Sequence, residues 1–245
     1  MSSKLLRQVA SWLPPSLVGA VDYRINPRKL DGFGGPFNGQ CFRQLVVVDL
    51  LSVCHFEAIV ETGTFVGSTT LFFAHNCTVP VYSAEISPRY FQLARRRLGA
   101  FSNIHLYNMD SITVLPLLPL LRTTRTFFYL DAHWYDHLPL AEETEFIFSN
   151  FDHFVVMVDD FQVPEDSGYK FDDYGPGRTL TLKDFPFDRD VRVSTYFPAR
   201  NSNQESGRRR GCAVLASQSM TPVVDRLDCL VRHRFQTDAS WGCGS

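Results

Sequence analysis

From residue 57 onward, short apolar runs alternate with amphipathic stretches along the chain. That alternation predicts βαβ units and an α/β domain built on a parallel sheet. Strands are expected near 57–61, 80–85, 103–108, 126–131 and 153–159, with helices near 67–76, 88–98, 110–121 and 138–150. The second helix has the clearest signature, with Pro88 in its first turn after Ser87, an N-cap pairing. Its spacing turns Tyr90, Phe91, Leu93, Ala94 and Leu98 toward the sheet and leaves Arg95, Arg96 and Arg97 largely outside. The third is interrupted by Pro116 and Pro119, which must break or kink it.

Two further apolar runs, Val191 to Phe197 and Gly211 to Ala216, flank a polar loop containing Asn201, Ser202 and Asn203. They are expected to form an antiparallel hairpin that closes the sheet edge. Residues 161–180 are rich in Gly, Pro, Asp and Tyr, and a loop of that length in a compact domain is often a lid or binding element. The organisation is thus an N-terminal helical cap over 1–56, a main domain over 57–217 and a tail over 218–245. Gly32 to Gly39 form a flexible lead-in, Leu227, Leu230 and Val231 suit one docking helix, and Thr237 to Ser245 suit a frayed end.

The bulk numbers narrow the field. A chain of 245 residues with 44% hydrophobic and 20% charged residues is ordinary for a globular protein. A formal net charge of −2 gives no basis for nucleic-acid binding, and the one basic run, Arg208-Arg209-Arg210, suits a solvated loop better than a phosphate patch. The apolar stretch Leu45 to Val53 is interrupted by Asp49 and suits an ordinary helix, so no membrane association is expected. The six cysteines show no CxxC pair, residues 1–30 lack a secretory pattern, and a reducing cytoplasm is the expected compartment. Cys54 and Cys212 suit small buried thiols. Homo-oligomerisation stays open.

The most informative stretch is Ala58-Ile59-Val60-Glu61-Thr62-Gly63-Thr64-Phe65-Val66-Gly67-Ser68-Thr69-Thr70. An apolar strand ends in an acid, two glycines four residues apart follow, and a helix begins at Ser68, so the turn bares its backbone to a ligand. Further strands end in Glu85, Asp110 and Asp131. In an open parallel sheet, ligands bind beyond the carboxyl ends of the strands, so these acids should converge on one crevice. Glu85 stands where a carboxylate grips the two hydroxyls of an adenosine ribose. Asp110-Ser111 suit an adenine edge, and Glu61 suits an ammonium group. Each acid also has a purely structural alternative, most of all Asp110 as a helix cap.

These residues, with Pro36 to Gln40, Arg43, Leu130-Asp131-Ala132-His133-Trp134, Pro139-Leu140, Glu143 and Val158-Asp159-Asp160-Phe161, resemble the class I S-adenosylmethionine-dependent methyltransferases. Within that family they resemble a small group marked by ETGTxxGxT, LDAHW and VDDF motifs. The resemblance spans roughly residues 36–216. It implies a Rossmann-like, doubly wound sheet of seven strands with the last antiparallel and helices on both faces. It also implies a cofactor site of Glu61, Gly63, Thr64, Phe65, Gly67, Ser68, Thr69, Glu85, Ile86, Asp110, Ser111 and Asp131. Phe65 stands where the family often has a third glycine, which narrows the loop. Gln40 and Arg43 are expected over the site on the resemblance alone.

Asp131 ends the fourth strand and Asp159-Asp160 the fifth. Adjacent strands lie ~5 Å apart, so these carboxylates should crowd and repel unless a cation or proton intervenes. An oxygen-only set of that kind suits Mg²⁺, an arrangement that also resembles the metal site of catechol-type and sugar O-methyltransferases. The alternative is that Asp159 or Asp160 only accepts loop N–H groups. His133, just past the fourth strand, is the expected base beside Asp131, with His137 the second candidate. Trp134, Tyr135, Tyr169 and Tyr174 are candidate walls of an acceptor pocket. The expected function is therefore methyl transfer from S-adenosylmethionine, to oxygen of a small molecule and with a divalent metal assisting. The alternatives are an NAD-dependent oxidoreductase, disfavoured because GxGxxG is missing, a non-catalytic binding domain of the same fold, and non-methyl chemistry such as hydroxylation.

Overall fold

Eight strands form one mixed sheet in the computed structural model, in the order β3-β2-β1-β4-β5-β7-β6-β8. The structure describes residues 14–25, 27–134 and 136–234. The parallel strands are β1 (Ala58–Thr62), β2 (Val81–Ala84), β3 (Ile104–Tyr107), β4 (Thr126–Leu130) and β5 (Phe154–Asp159). Helix α1 is Pro15–Ile25, α2 is Cys41–Cys54, α3 is Ser68–Asn76, α4 is Pro88–Leu98, α5 is Ser111–Val114, α6 is Leu140–Asn150 and α7 is Thr221–Val224.

The central strands are buried throughout, because both of their faces are covered. Side chains alternate between the two faces. Val60, Phe128 and Val156 therefore join one core, while Ile59, Phe127 and Val155 join the other. Pairing of Thr62 with Leu130 and of Leu130 with Val158 brings the carboxyl ends of β1, β4 and β5 level. That register is what gathers the acids.

The antiparallel hairpin is present as β6 (Val193–Pro198) and β7 (Cys212–Ser217), but it does not close the edge. Strand β7 inserts between β5 and β6, and the edge is an eighth strand, β8 (Leu230–Arg232), antiparallel to β6. The expected count of seven is thus one too few, and the expected docking helix at Leu230 and Val231 is this strand. The helix expected over 110–121 shrinks to α5 and a 3₁₀ turn at Leu115–Leu117, as its prolines demand.

Helix α4 occupies the expected residues and buries Leu93, Ala94 and Leu98. Arg97 departs from the expectation by turning inward, where Nη1 donates to the carbonyls of Leu30 at 2.8 Å and Val66 at 3.0 Å. Ser87 holds the N-cap position without a side-chain capping bond. The glycine-rich lead-in is pinned rather than loose. Phe37 is 1% exposed and packs edge-on against Phe72, Phe73 and Tyr129. Cys54 and Cys212 are buried, as expected, and burial pushes the Cys54 thiol up to about 12. No helix among the described residues is long and apolar enough to cross a membrane. Tyr135, Cys243 and the stretch 237–245 lie outside the described residues.

Candidate active site

A cavity of about 650 Å³ opens beyond the carboxyl ends of the parallel strands. Its walls include Gly63, Phe65, Glu85, Ile86, Tyr90, Met109 and Ser111. They also include Asn38, Asp131, His133, Trp134, Asp160, Asp172, Arg208 and Arg210. The volume suits a small-molecule site.

The loop after β1 is shaped by its glycines. Gly63 has φ 86°, and a β-carbon there would lie 2.3 Å from the carbonyl oxygen of Asp131, so only glycine lets β1 and β4 approach. Phe65 also takes a left-handed conformation, φ 49°, at the position where a third glycine was expected. Its ring packs on Tyr90 at 4.5 Å and on Phe33 at 5.6 Å, forming a wall of the cavity. The Phe65 amide donates to Glu85 Oε2 at 2.7 Å and the Ser87 amide to Glu85 Oε1 at 2.8 Å. Burial raises the Glu85 carboxyl above its ordinary value, and the two amides oppose that shift. A carboxylate has about four acceptor sites, so Glu85 can take further donors from the cavity.

Of the other loop residues predicted to bind, none is among those lining the cavity. Thr64 Oγ1 lies 2.6 Å from Ser83 Oγ, Ser68 Oγ donates to Leu30 O at 3.0 Å, and Thr69 Oγ1 accepts from the Phe37 amide. Gly67 keeps the loop tight against α4, where a β-carbon would lie 2.8 Å from Leu98 Cδ1. Glu61 is buried beneath the loop and accepts from Thr70 and Ser83, both at 2.5 Å. Burial pushes its carboxyl up to about 7. Asp110 is the cap its alternative reading described, accepting from the Ile112 amide at 3.0 Å. Its second oxygen lies 3.0 Å from His137 Nε2, so it braces a residue of the cavity wall.

His133 is buried, with Nε2 lacking a hydrogen-bond partner and lying 3.9 Å from Asp131 Oδ1. Burial lowers its pKa, Asp160 and Asp172 pull the other way, and Arg210 lowers it further. The imidazole is thereby kept neutral near neutral pH. Asp131 is 35% exposed, toward the cavity rather than bulk solvent. Desolvation in that recess, with Asp160 and Glu61 nearby, raises its carboxyl well above the ordinary range, against the pull of Arg43.

Asp159 and Asp160 do not act together, because Asp159 closes β5 and Asp160 follows it in a left-handed turn, φ 52°. Asp159 accepts from Arg43, from Tyr129 Oη at 2.8 Å and from Asn38 Nδ2 at 3.2 Å. Asp160 faces the cavity and accepts from Arg210 Nε at 2.6 Å. The group whose ligand atoms lie within 4.8 Å of one another is Asp131, His133 and Asp160. Asp159 is therefore withdrawn from the expected metal set.

The basic run divides: Arg208 and Arg209 are exposed, as expected of a solvated loop, whereas Arg210 is half-buried, and Arg208 and Arg210 line the cavity. Gln40 and Arg43 lie beneath Arg210 rather than over the site, both bonded to its backbone. Trp134 is on the cavity wall, and Tyr174 reaches Asp172, but Tyr169 is buried elsewhere with its hydroxyl on Arg200 O. Asp172 was not singled out by sequence, although it sits in the long loop read as a binding element. Met109 carried no signal of its own, and Asn38 only its place in the Pro36 to Gln40 motif.

No protein-family model matches the chain, and no curated protein sequence matches it. Among solved structures it is similar to the O-methyltransferase from Bacillus cereus in complex with SAH. The two are 15% identical over 86% of this chain and 96% of that one, with a TM-score of 0.57. It is also similar to the O-methyltransferase TomG from Streptomyces achromogenes, involved in tomaymycin synthesis and solved with SAM. There the identity is 14%, the coverage 89% and 99%, and the TM-score 0.56. At such identities the likeness establishes the fold, an α/β Rossmann-like doubly wound sheet.

Proposed function

We propose that this chain is an S-adenosylmethionine-dependent methyltransferase acting on oxygen of a small molecule. The observation that carries the proposal is Glu85, a buried carboxylate on the cavity wall, tied to the glycine loop through the Phe65 amide. The cofactor fits these residues. Gly63 lets the loop turn tightly against β4 at the cavity wall, Glu85 can accept ribose hydroxyls, and Ile86, 58% exposed on the cavity wall, offers an apolar face to a base. Glu85, Asp160 and Asp172 outweigh Arg208 and Arg210 there, which suits a cationic sulfonium. The likeness to SAM- and SAH-bound structures supports the same reading.

When bound, S-adenosylmethionine supplies a methyl group on positively charged sulfur. The chain's task is then to hold an acceptor hydroxyl in line with it and to take the hydroxyl proton. His133 Nε2, neutral and unpartnered, is the group that takes the proton, and the charges of Asp160 and Asp172 steady the imidazolium that results. Trp134, exposed on the cavity wall, is available to the acceptor.

An NAD-dependent reading meets two obstacles. Ser68, at the start of α3, is tied to Leu30 O and Arg97, where a pyrophosphate would need the helix N-terminus. The acidic lining also opposes two phosphates. A divalent metal does not suit the donor set, because Asp159 is consumed by Arg43 and Asp160 already carries the Arg210 guanidinium.

The proposal is tested by incubating the full chain with S-adenosylmethionine and a panel of hydroxylated small molecules, following S-adenosylhomocysteine by mass spectrometry. Acceptor-dependent product that His133→Gln abolishes supports the reading. Hydride transfer from NADH to a carbonyl panel, with no product from S-adenosylmethionine, contradicts it.

A further inference from the structure

The acid-rich end of the cavity has a resident positive charge, and the chain invests several buried groups in placing it. Arg210 Nε donates to Asp160 Oδ1 at 2.6 Å, and Nη2 donates to Asp172. The spacing of the two acids is itself fixed, because the Asp172 amide donates to the Asp160 carbonyl at 3.0 Å. Tyr174 Oη holds the far side of Asp172, 2.5 Å from Oδ2. Beneath, Gln40 accepts from the Arg210 amide at 2.7 Å and donates to its carbonyl at 2.9 Å. Arg43 donates to the same carbonyl. Gln40 and Arg43 are 1% and 3% exposed, so buried polar side chains fix the backbone of a half-buried arginine.

The third guanidinium nitrogen, Nη1, has no hydrogen-bond partner among the described residues, and Arg210 lines the cavity together with His133. A divalent cation on Asp160 would sit ~2–2.5 Å from a carboxylate oxygen, and so within roughly 5 Å of this guanidinium. Their charges repel in a recessed, poorly screened site.

We propose that Arg210 is the built-in cation of this site, excluding a divalent metal from Asp131, His133 and Asp160 and presenting Nη1 to the acceptor oxygen. The acceptor-facing part rests on the methyltransferase reading; the exclusion of metal does not. In that role Nη1 steadies negative charge on the acceptor oxygen as its proton passes to His133. The favoured acceptor is then a hydroxyl that ionises readily, phenolic or enolic, rather than an amine.

The test is Mn²⁺ binding to the full chain, read by electron paramagnetic resonance, with S-adenosylhomocysteine affinity measured on the same samples. Wild type is expected to leave millimolar Mn²⁺ free, as is Arg210→Lys, which keeps the charge. Arg210→Gln is expected to gain submillimolar Mn²⁺ binding, lost again when Asp160→Asn is added, while S-adenosylhomocysteine affinity changes less than about threefold. Micromolar Mn²⁺ binding by wild type overturns the proposal whatever the variants do, and so does a folded Arg210→Gln that gains none. Failure of the cofactor reading shows separately, as a folded wild type that does not bind S-adenosylhomocysteine.

Discussion

Arg43 of α2 and Asp159 at the end of β5 form an ion pair sealed from solvent, with side chains 2% and 1% exposed. Such a pair adds little net stability compared with a well-packed apolar pair, but removing one partner strands the other charge. Asp159→Ala is therefore expected to cost about 3–5 kcal/mol, read as a lower urea midpoint. A loss below about 1 kcal/mol would contradict the buried pair and return Asp159 to the candidate ligands.

Phe65 holds a left-handed backbone that costs a non-glycine residue about 1–2 kcal/mol, and its ring rests on Tyr90 and Phe33. Phe65→Gly relieves the first and forfeits the second, a loss of about 1.5 kcal/mol for a half-buried ring. The two nearly cancel, so stability should stay within about 1 kcal/mol of wild type. Ligand affinity should nonetheless fall by about tenfold, because the ring is a wall of the cavity. Unchanged S-adenosylhomocysteine affinity would remove Phe65 from the site.

Glu143 is buried, and burial pushes its carboxyl up to about 7, with Ser111 and Thr62 partly offsetting the shift. Above the ordinary glutamate value near ~4.5 the unfolded chain gives up this proton, while the folded chain keeps it until about 7. Its contribution is thus present in full below that ordinary value and is lost as pH rises through this window. Glu143→Gln should gain on wild type by about 1 kcal/mol per pH unit between pH 5 and 7. Parallel stability curves for the two proteins would show that Glu143 titrates normally.

His133 is lowered by burial, so it is neutral and able to accept a proton above the ordinary imidazole range. Turnover should fall only as pH drops below that range and stay flat above it. His133→Gln should lose about 10²–10⁴-fold in kcat while S-adenosylhomocysteine binding holds within a few fold. A loss confined to KM would assign His133 to positioning instead.

Strand positions were legible because Val, Ile and Phe runs of strand length leave few other options, and Glu85 followed from its place at a strand end. Asp159-Asp160 misled for a physical reason. Adjacency in sequence suggests a pair, but Asp159 closes β5 while Asp160 turns left-handed just past it, and Arg43, the partner of one, is 116 positions away. Arg210 looked solvated because Asp160 and Asp172, the acids that hold it, belong to other segments. Strand β8 spans three residues with Val231 exposed, too short and too mixed to leave a period in the sequence.

The most direct measurement is calorimetric titration of the full chain with S-adenosylhomocysteine, beside NADH, for wild type and Glu85→Ala. The account predicts micromolar binding of S-adenosylhomocysteine by wild type, at least tenfold weaker binding by Glu85→Ala, and no binding of NADH. A folded wild type that ignores S-adenosylhomocysteine, or binds NADH in its place, would contradict it.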